Sequence, residues 1–310
     1  MNATGFCHEV MFYEDEEEFL EATLPFIRLG LDAGEPMLVA AGRRKIDLLQ
    51  GELGDDAAEV RFADMVELGR NPAQIIPAWQ DFLDTSLQPD GGARGIGEPI
   101  WPGRTAPELD ECQRHESLLN LAFGTGPTWS LLCPYDSRAL DDDVLEAARE
   151  THPYVRRDGA LADSTAWDGL ESFSPFQGSL PAPPASSRTL SFRREELGKA
   201  RRLARGEARE AGMTEARATD IAIAVGELAA NSIRHGGGGG VLRAWREADA
   251  LLFEVEDRGQ VEEPLVGRLR PSPAQEGGRG LWMANQLCDL VQIRSDAART
   301  AVRLRLSLAG

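Results

Sequence analysis

The stretch from Ser172 to Ser187, SFSPFQGSLPAPPASS, is dense in Ser, Pro, Gly and Ala and has no hydrophobic period. Such a run offers too few apolar side chains to build a core, so it reads as a linker. It separates two halves with different patterns. At 310 residues the chain is long enough for two domains. The expected division is 1–171, linker 172–187, and 188–310.

The first half alternates strand and helix signals. His8–Tyr13, Pro36–Ala41, Glu59–Phe62, Arg94–Trp101 and Thr128–Tyr135 are short apolar runs. Helical spacing follows Asp15, with Phe19, Leu20, Thr23, Leu24, Ile27 and Leu31 recurring at i, i+3 and i+4. Further helices are expected at Arg43–Leu53, Pro72–Asp84, Pro107–Phe123 and Asp141–Glu150. A βαβα rhythm predicts an α/β fold, with a mostly parallel sheet and helices on both faces.

The second half opens with a short strand, Thr189–Phe192, then two long helices, Glu195–Ala211 and Glu215–His235, the latter stopped by Gly236–Gly240. Val241–Glu247 and Ala250–Glu256 alternate as a hairpin. A Pro- and Gly-rich loop runs from Gly259 to Gly278. A helix at Leu281–Cys288 and strands at Leu290–Ser295 and Thr300–Ser307 complete the chain. Helices followed by an antiparallel sheet predict an α+β sandwich.

Charge supports two modules. The chain carries a net charge of −18; residues 188–310 hold 20 Arg/Lys and 17 Asp/Glu, and the first half holds the acidic excess. So acidic a chain is a poor nucleic-acid binder, because a phosphate backbone calls for a basic face. No run approaches the roughly 20 apolar residues of a membrane span. Cys7, Cys112, Cys133 and Cys288 form no C-x-x-C pair, and the acidic N-terminus does not resemble a signal peptide. A soluble cytoplasmic protein with reduced thiols is expected.

Three pieces can carry chemistry. Glu227 and Asn231 share one face of a predicted helix at i, i+4 spacing. The Asn231 amide oxygen suits Mg²⁺, which prefers oxygen ligands, and Glu227 can orient or deprotonate a nucleophile. By itself this spacing more often marks a solvated polar face. Asp257-Arg258-Gly259 follows a predicted strand; Asp257 can accept from an exocyclic amine, and Gly259 permits a sharp turn. A plain strand-ending turn also has this form. Gly277-Gly278-Arg279-Gly280 precedes a helix, where backbone N–H groups can reach phosphate oxygens.

Taken in order, these pieces and Thr300 on the last strand bring a family into view. ELAANSIRHG, EVEDRG, GGRGLWMANQLCDLV and TAVRLRL resemble the GHKL (Bergerat-type) ATPase domain of histidine kinases, gyrase and anti-sigma-factor serine kinases, over Thr189 to Leu308. The resemblance implies ATP and Mg²⁺ as cofactors. It implies Asn231 as the Mg²⁺ ligand, Glu227 as general base, Asp257 as the adenine contact, and Gly259, Gly277, Gly278, Arg279, Gly280 and Thr300 around the nucleotide. His235 sits at a polar position often seen in the family's short members. The short form is most similar to the anti-sigma-factor serine kinases, whose partners are a sigma factor and a STAS-type anti-anti-sigma protein, and which often dimerise. Val261 departs from the family's D-x-G-x-G pattern at the second glycine, which places nucleotide binding ahead of turnover.

In the first half, HEVMFYEDEEEF, LDAGEPMLVAAG, ECQRHESLLNLAF, LLCPYD and THP resemble the MEDS-type sensory domain over residues 5–155. The resemblance implies a P-loop-like α/β core that has lost its phosphate loop. No G-x-x-x-x-G-K-[ST] is present. Cys7, His8, Cys112, His115, Glu116 and Cys133 are ligand-type residues without zinc-like spacing. The expected reading is packing for the cysteines and a surface position for His115. Arg94, Glu98 and Trp101 mark a strand end, where open parallel sheets bind ligands.

The expected function is a cytoplasmic regulator. Its sensory domain would control an ATP-binding anti-sigma-factor domain that sequesters a sigma factor and phosphorylates a serine on the antagonist. A soluble histidine kinase acting in trans, and a degenerate protein-binding module, stay open as alternatives.

Overall fold

The computed structural model describes residues 5–308 except 90, 158, 171–172 and 273–277. The chain divides into two compact units, 1–173 and 174–310.

In the first unit the described strands are β1 (Phe6–Tyr13), β2 (Met37–Ala41), β3 (Val60–Asp64), β4 (Arg94–Gly97), β5 (Trp129–Asp136), β6 (Tyr154–Arg157) and β7 (Ala160–Asp163). The helices are α1 (Glu16–Asp32), α2 (Arg43–Leu53), α3 (Met65–Leu68), α4 (Ile75–Ser86), α5 (Ala106–Phe123) and α6 (Asp142–Thr151). The strands form one seven-stranded sheet in the order β3-β2-β4-β5-β1-β6-β7. All neighbours are parallel except β6 and β7.

Side chains alternate across β1 and so divide the helices between two faces. Met11 and Tyr13 join Phe19, Ile27, Ile46 and Leu49 in a core under α1 and α2. Phe6 and His8 point the other way, onto Phe123 and Asn120 of α5. Continuous burial of β2 follows from cover on both sides. Asp15 caps α1, accepting from the N–H groups of Glu17 and Glu18 at 3.0 Å. Its carboxylate satisfies two of the N–H groups that the first turn leaves without a helical partner.

Two expectations shift here. The strand expected over Arg94–Trp101 stops at Gly97, and Pro99 follows with no N–H for a ladder. The β6–β7 hairpin was not anticipated; its short strands are half-buried or exposed and lack a clean hydrophobic alternation.

The second unit contains β8 (Arg188–Arg193), α7 (Leu197–Glu210), α8 (Glu215–His235), β9 (Gly239–Arg246), β10 (Ala250–Asp257), α9 (Gly280–Leu287), β11 (Leu290–Ser295) and β12 (Thr300–Ser307). Its sheet is antiparallel, ordered β11-β12-β10-β9-β8. Leu251, Phe253 and Val255 of β10 face one way and pack with Ala204, Ile221, Val225 and Leu228 of the helices. Glu254 faces the other way and pairs with Arg303. Gly239 and Gly240 belong to β9 rather than only stopping α8, because they pair with Arg193 and Phe192. Within the stretch expected to link the domains, Phe176 is buried in this core and its carbonyl accepts from Ser295 N at 3.0 Å.

Candidate functional site

Helix α8 is started by Thr214, whose hydroxyl accepts from Arg217 N at 3.2 Å. Ile221, Ala224, Val225 and Leu228 turn into the core, which leaves Glu227 and Asn231 half-buried along one edge. The first turn of α9 closes on that edge. A methyl group at Gly280 would lie 3.0 Å from Asn231 Nδ2 and 3.3 Å from Glu227 Oε2. Arg234 Nη2 donates to Asn231 Oδ1 at 3.0 Å.

Asp257 ends β10 opposite Thr300 of β12. Its carboxylate is held from two sides: Ser232 Oγ donates to Oδ2 at 2.5 Å, and Gly259 N donates to Oδ1 at 2.7 Å. Thr300 donates its hydroxyl to Gly259 O at 2.8 Å. The Ser295 hydroxyl lies 2.7 Å from Thr300 Oγ1 and accepts from Val261 N at 2.9 Å. This chain of bonds pins the 257–261 turn to the ends of two strands. Gly236, just past α8, sits against the same carboxylate; a Cβ there would lie 2.3 Å from Asp257 Cγ.

These elements enclose a cleft of about 280 Å³. Asn231, Asp257, Gly259, Gly278 and Thr300 line it, between apolar walls that include Leu228, Val255, Val261 and Val302. Gly278 has φ +72°, open to glycine at no steric cost. Glu227 lies one helical turn from Asn231, beside Gly280 rather than among the lining residues. Arg279 is exposed, outside the lining, and donates to Ser272 O at 3.3 Å. Gly277 lies outside the described residues. Sequence reasoning passed over Ser232, Gly236 and Ser295. Nothing local in one sequence marks Ser232 as the partner of a carboxylate 25 positions away.

Two family models match this chain. Residues 7–153 match MEDS, the methanogen/methylotroph DcmR sensory domain. Residues 190–306 match the histidine kinase-like ATPase domain.

The protein joins a MEDS domain to a histidine kinase-like ATPase domain.

The cleft lies wholly within the ATPase domain. Among solved structures, one of the RsbU and RsbW domains of a Mycobacterium tuberculosis protein matches with 23% identity and a TM-score of 0.31, over 40% of this chain and 32% of that one. The histidine kinase AdeS of Acinetobacter baumannii matches with 13% identity and a TM-score of 0.23, over 40% of this chain and 68% of that one. This chain thus spans about a third of the first structure's length. No curated protein matches. Among the described residues no helix is long and apolar enough to cross a membrane.

In the MEDS domain the expected strand-end group divides. Arg94 begins β4 and pairs with Glu35 at 2.5 Å, at the opposite end of the strand from Glu98. Glu98 is buried, where it accepts from Tyr13 Oη at 2.8 Å and pairs with Lys45. Burial pushes the Glu98 carboxyl up, against the lowering influence of Lys45. Trp101 is half-buried and stacks under Arg104 at 3.7 Å. His115 was expected at the surface and is instead 1% exposed, because the face of α5 that carries it is turned inward.

Proposed function

We propose that the ATPase domain holds Mg²⁺–ATP, with Asp257 at the adenine, Asn231 at the metal and Glu227 as general base. The observation that carries this reading is the convergence of Asn231, Asp257 and Thr300 on one cleft, with the Gly280 end of α9 closed on Asn231 and Glu227. The apolar walls suit a flat ring, and the cleft volume lies near the lower end of the roughly 300–1,000 Å³ of ligand pockets. An ionised carboxylate has about four acceptor positions. With Ser232 and Gly259 using two, Asp257 keeps capacity for an amine donor. Bound Mg²⁺ would neutralise phosphate charge, and phosphoryl transfer is chiefly positioning and electrostatics.

On this reading the protein is a cytoplasmic partner-switching regulator. The MEDS domain senses a signal, and the ATPase domain captures a sigma factor and phosphorylates a serine on its STAS-type antagonist. An acceptor on a second protein suits the histidines of this chain. His8, His115 and His152 are at most 1% exposed, and His235 ends α8 at the cleft itself. Calorimetric titration of the full chain with Mg²⁺–ATP tests the first step, and absence of heat sinks it. With binding present, Glu227→Ala should abolish serine phosphorylation of the captured antagonist while leaving affinity within a few-fold of wild type.

Val261 favours a second reading, binding without turnover. Its side chain occupies the cleft wall where the family pattern has glycine. Single-turnover assays separate the two: Val261→Gly should raise phosphoryl transfer only if the domain is a kinase.

A further inference from the structure

Four metal-ligating side chains meet inside the MEDS domain. His8 is on β1, Glu116 on α5, Cys133 on β5, and His152 directly follows α6. All four are buried, and their ligand atoms lie within 4.8 Å of one another. His8 Nε2 is 3.1 Å from Glu116 Oε2, and His152 Nε2 is 3.4 Å from the same oxygen. Cys133 Sγ lies 3.4 Å from His8 Nε2 and 3.8 Å from Glu116 Oε2. A tetrahedron of zinc-length bonds, about 2.0–2.3 Å, has edges of about 3.3–3.8 Å. The four separations are close to those edges.

The hydrogen bonds around the cluster fix which atoms face inward. Asn120 Nδ2 donates to Glu116 O at 3.2 Å and to Thr151 O at 2.9 Å, so the Asn120 amide oxygen is the atom that faces His8. That oxygen, 3.1 Å away, only accepts, so His8 Nδ1 carries a proton. His152 Nδ1 donates to Ala148 O at 2.7 Å. Both neutral rings therefore aim an Nε2 lone pair at the carboxylate. This outward anchoring of Nδ1 is the arrangement of metal-binding histidines, which donate the second ring N–H to a carbonyl or carboxylate.

Three electron-rich atoms facing one another in a dry core need a cation between them. A single proton, on one imidazole or on the carboxyl, bridges only one of the two histidine–carboxylate contacts, and bridging both with imidazolium would set two charged rings with centroids 4.0 Å apart. Glu116 Oε1 and His152 Nε2 have no hydrogen-bond partner among the described residues. A divalent metal satisfies the whole set, since the Glu116 carboxylate and a Cys133 thiolate supply two negative charges.

We propose that His8, Glu116, Cys133 and His152 bind one divalent cation of the zinc type, as a closed tetrahedral centre. Mixed N, S and O donors in this geometry select zinc over magnesium or calcium, which prefer oxygen alone. Four protein ligands leave no open position for substrate, so the centre is structural or metal-sensing rather than catalytic. Its binding energy would tie together β1, α5, β5 and the segment that leads into β6.

Cobalt(II) added to the chelator-treated full chain, without nucleotide, reads the site directly. One equivalent should give tetrahedral d–d absorption and a thiolate-to-cobalt charge-transfer band. Cys133→Ser should lose the charge-transfer band, Cys112→Ser should keep it, and His152→Ala should weaken affinity about tenfold or more. No thiolate band in the wild type, or the same band in Cys133→Ser, overturns the proposal. X-ray absorption on the zinc-loaded wild type gives a readout that needs no variant. One sulfur with three nitrogen or oxygen neighbours is expected, and a shell without sulfur overturns it.

Discussion

Ser232 donates its hydroxyl to Asp257 Oδ2 at 2.5 Å, tying the last turn of α8 to the end of β10. The bond is one of two that orient the carboxylate at the cleft. Ser232→Ala should therefore raise the Kd for Mg²⁺–ATP several-fold and lower unfolding free energy by about 1.5–3 kcal/mol, the usual net worth of a hydrogen bond to a charged group. Calorimetry and urea denaturation measure the two effects. Unchanged affinity would remove Asp257 from the ligand contacts.

Gly236 permits the close approach of α8 to that carboxylate. A methyl group there overlaps Asp257 Cγ at 2.3 Å, so Gly236→Ala must displace either the side chain or the turn. Nucleotide affinity should fall more than tenfold. The stability cost should be about 1–3 kcal/mol, as for other overpacked sites. A variant that binds as the wild type does would show that Asp257 tolerates displacement.

Across the sheet, Glu254 and Arg303 are both nearly buried and meet at 2.6 Å, with the guanidinium over Trp245 and donating to Pro181 O. Removing one partner leaves the other charge desolvated. Arg303→Met should cost on the order of 3 kcal/mol in urea unfolding, moderated by Arg243, which is 3.4 Å from Glu254. A cost below about 1 kcal/mol would mean that Arg243 alone compensates the carboxylate.

Burial pushes the thiols of Cys7, Cys112 and Cys288 up to about 12 from 9.0. At pH 8.5 these cysteines should resist alkylation in the native protein and react fully in urea. The sign of the stability effect follows. Above pH 9 the unfolded chain loses thiol protons that the folded chain keeps, so this contribution is complete below pH 9 and is lost as pH rises towards 12. Rapid native labelling at pH 8.5 would contradict the buried placement.

Elements with local signals were legible from the residues. Glu215–His235 is stopped by a glycine run, and the structure gives the same helix. Leu290–Ser295 and Thr300–Ser307, expected as the closing strands, also match. The β6–β7 hairpin escaped notice because its exposed side chains carry no core-facing pattern. The i, i+4 spacing of Glu227 and Asn231 likewise placed both on one face, but the cover from Gly280 came only with the fold.

Local chemistry in the sequence was thus sufficient for the helix periods and for the alternation of the β9–β10 hairpin. These depend on residues a few positions apart, whose contacts the backbone geometry enforces. Only the tertiary structure joined Ser232 to Asp257, Gly259 to Thr300, and His8 to Glu116, Cys133 and His152. Those groups are distant in sequence and share no spacing rule. Sheet order and the burial of α5 decide whether they meet.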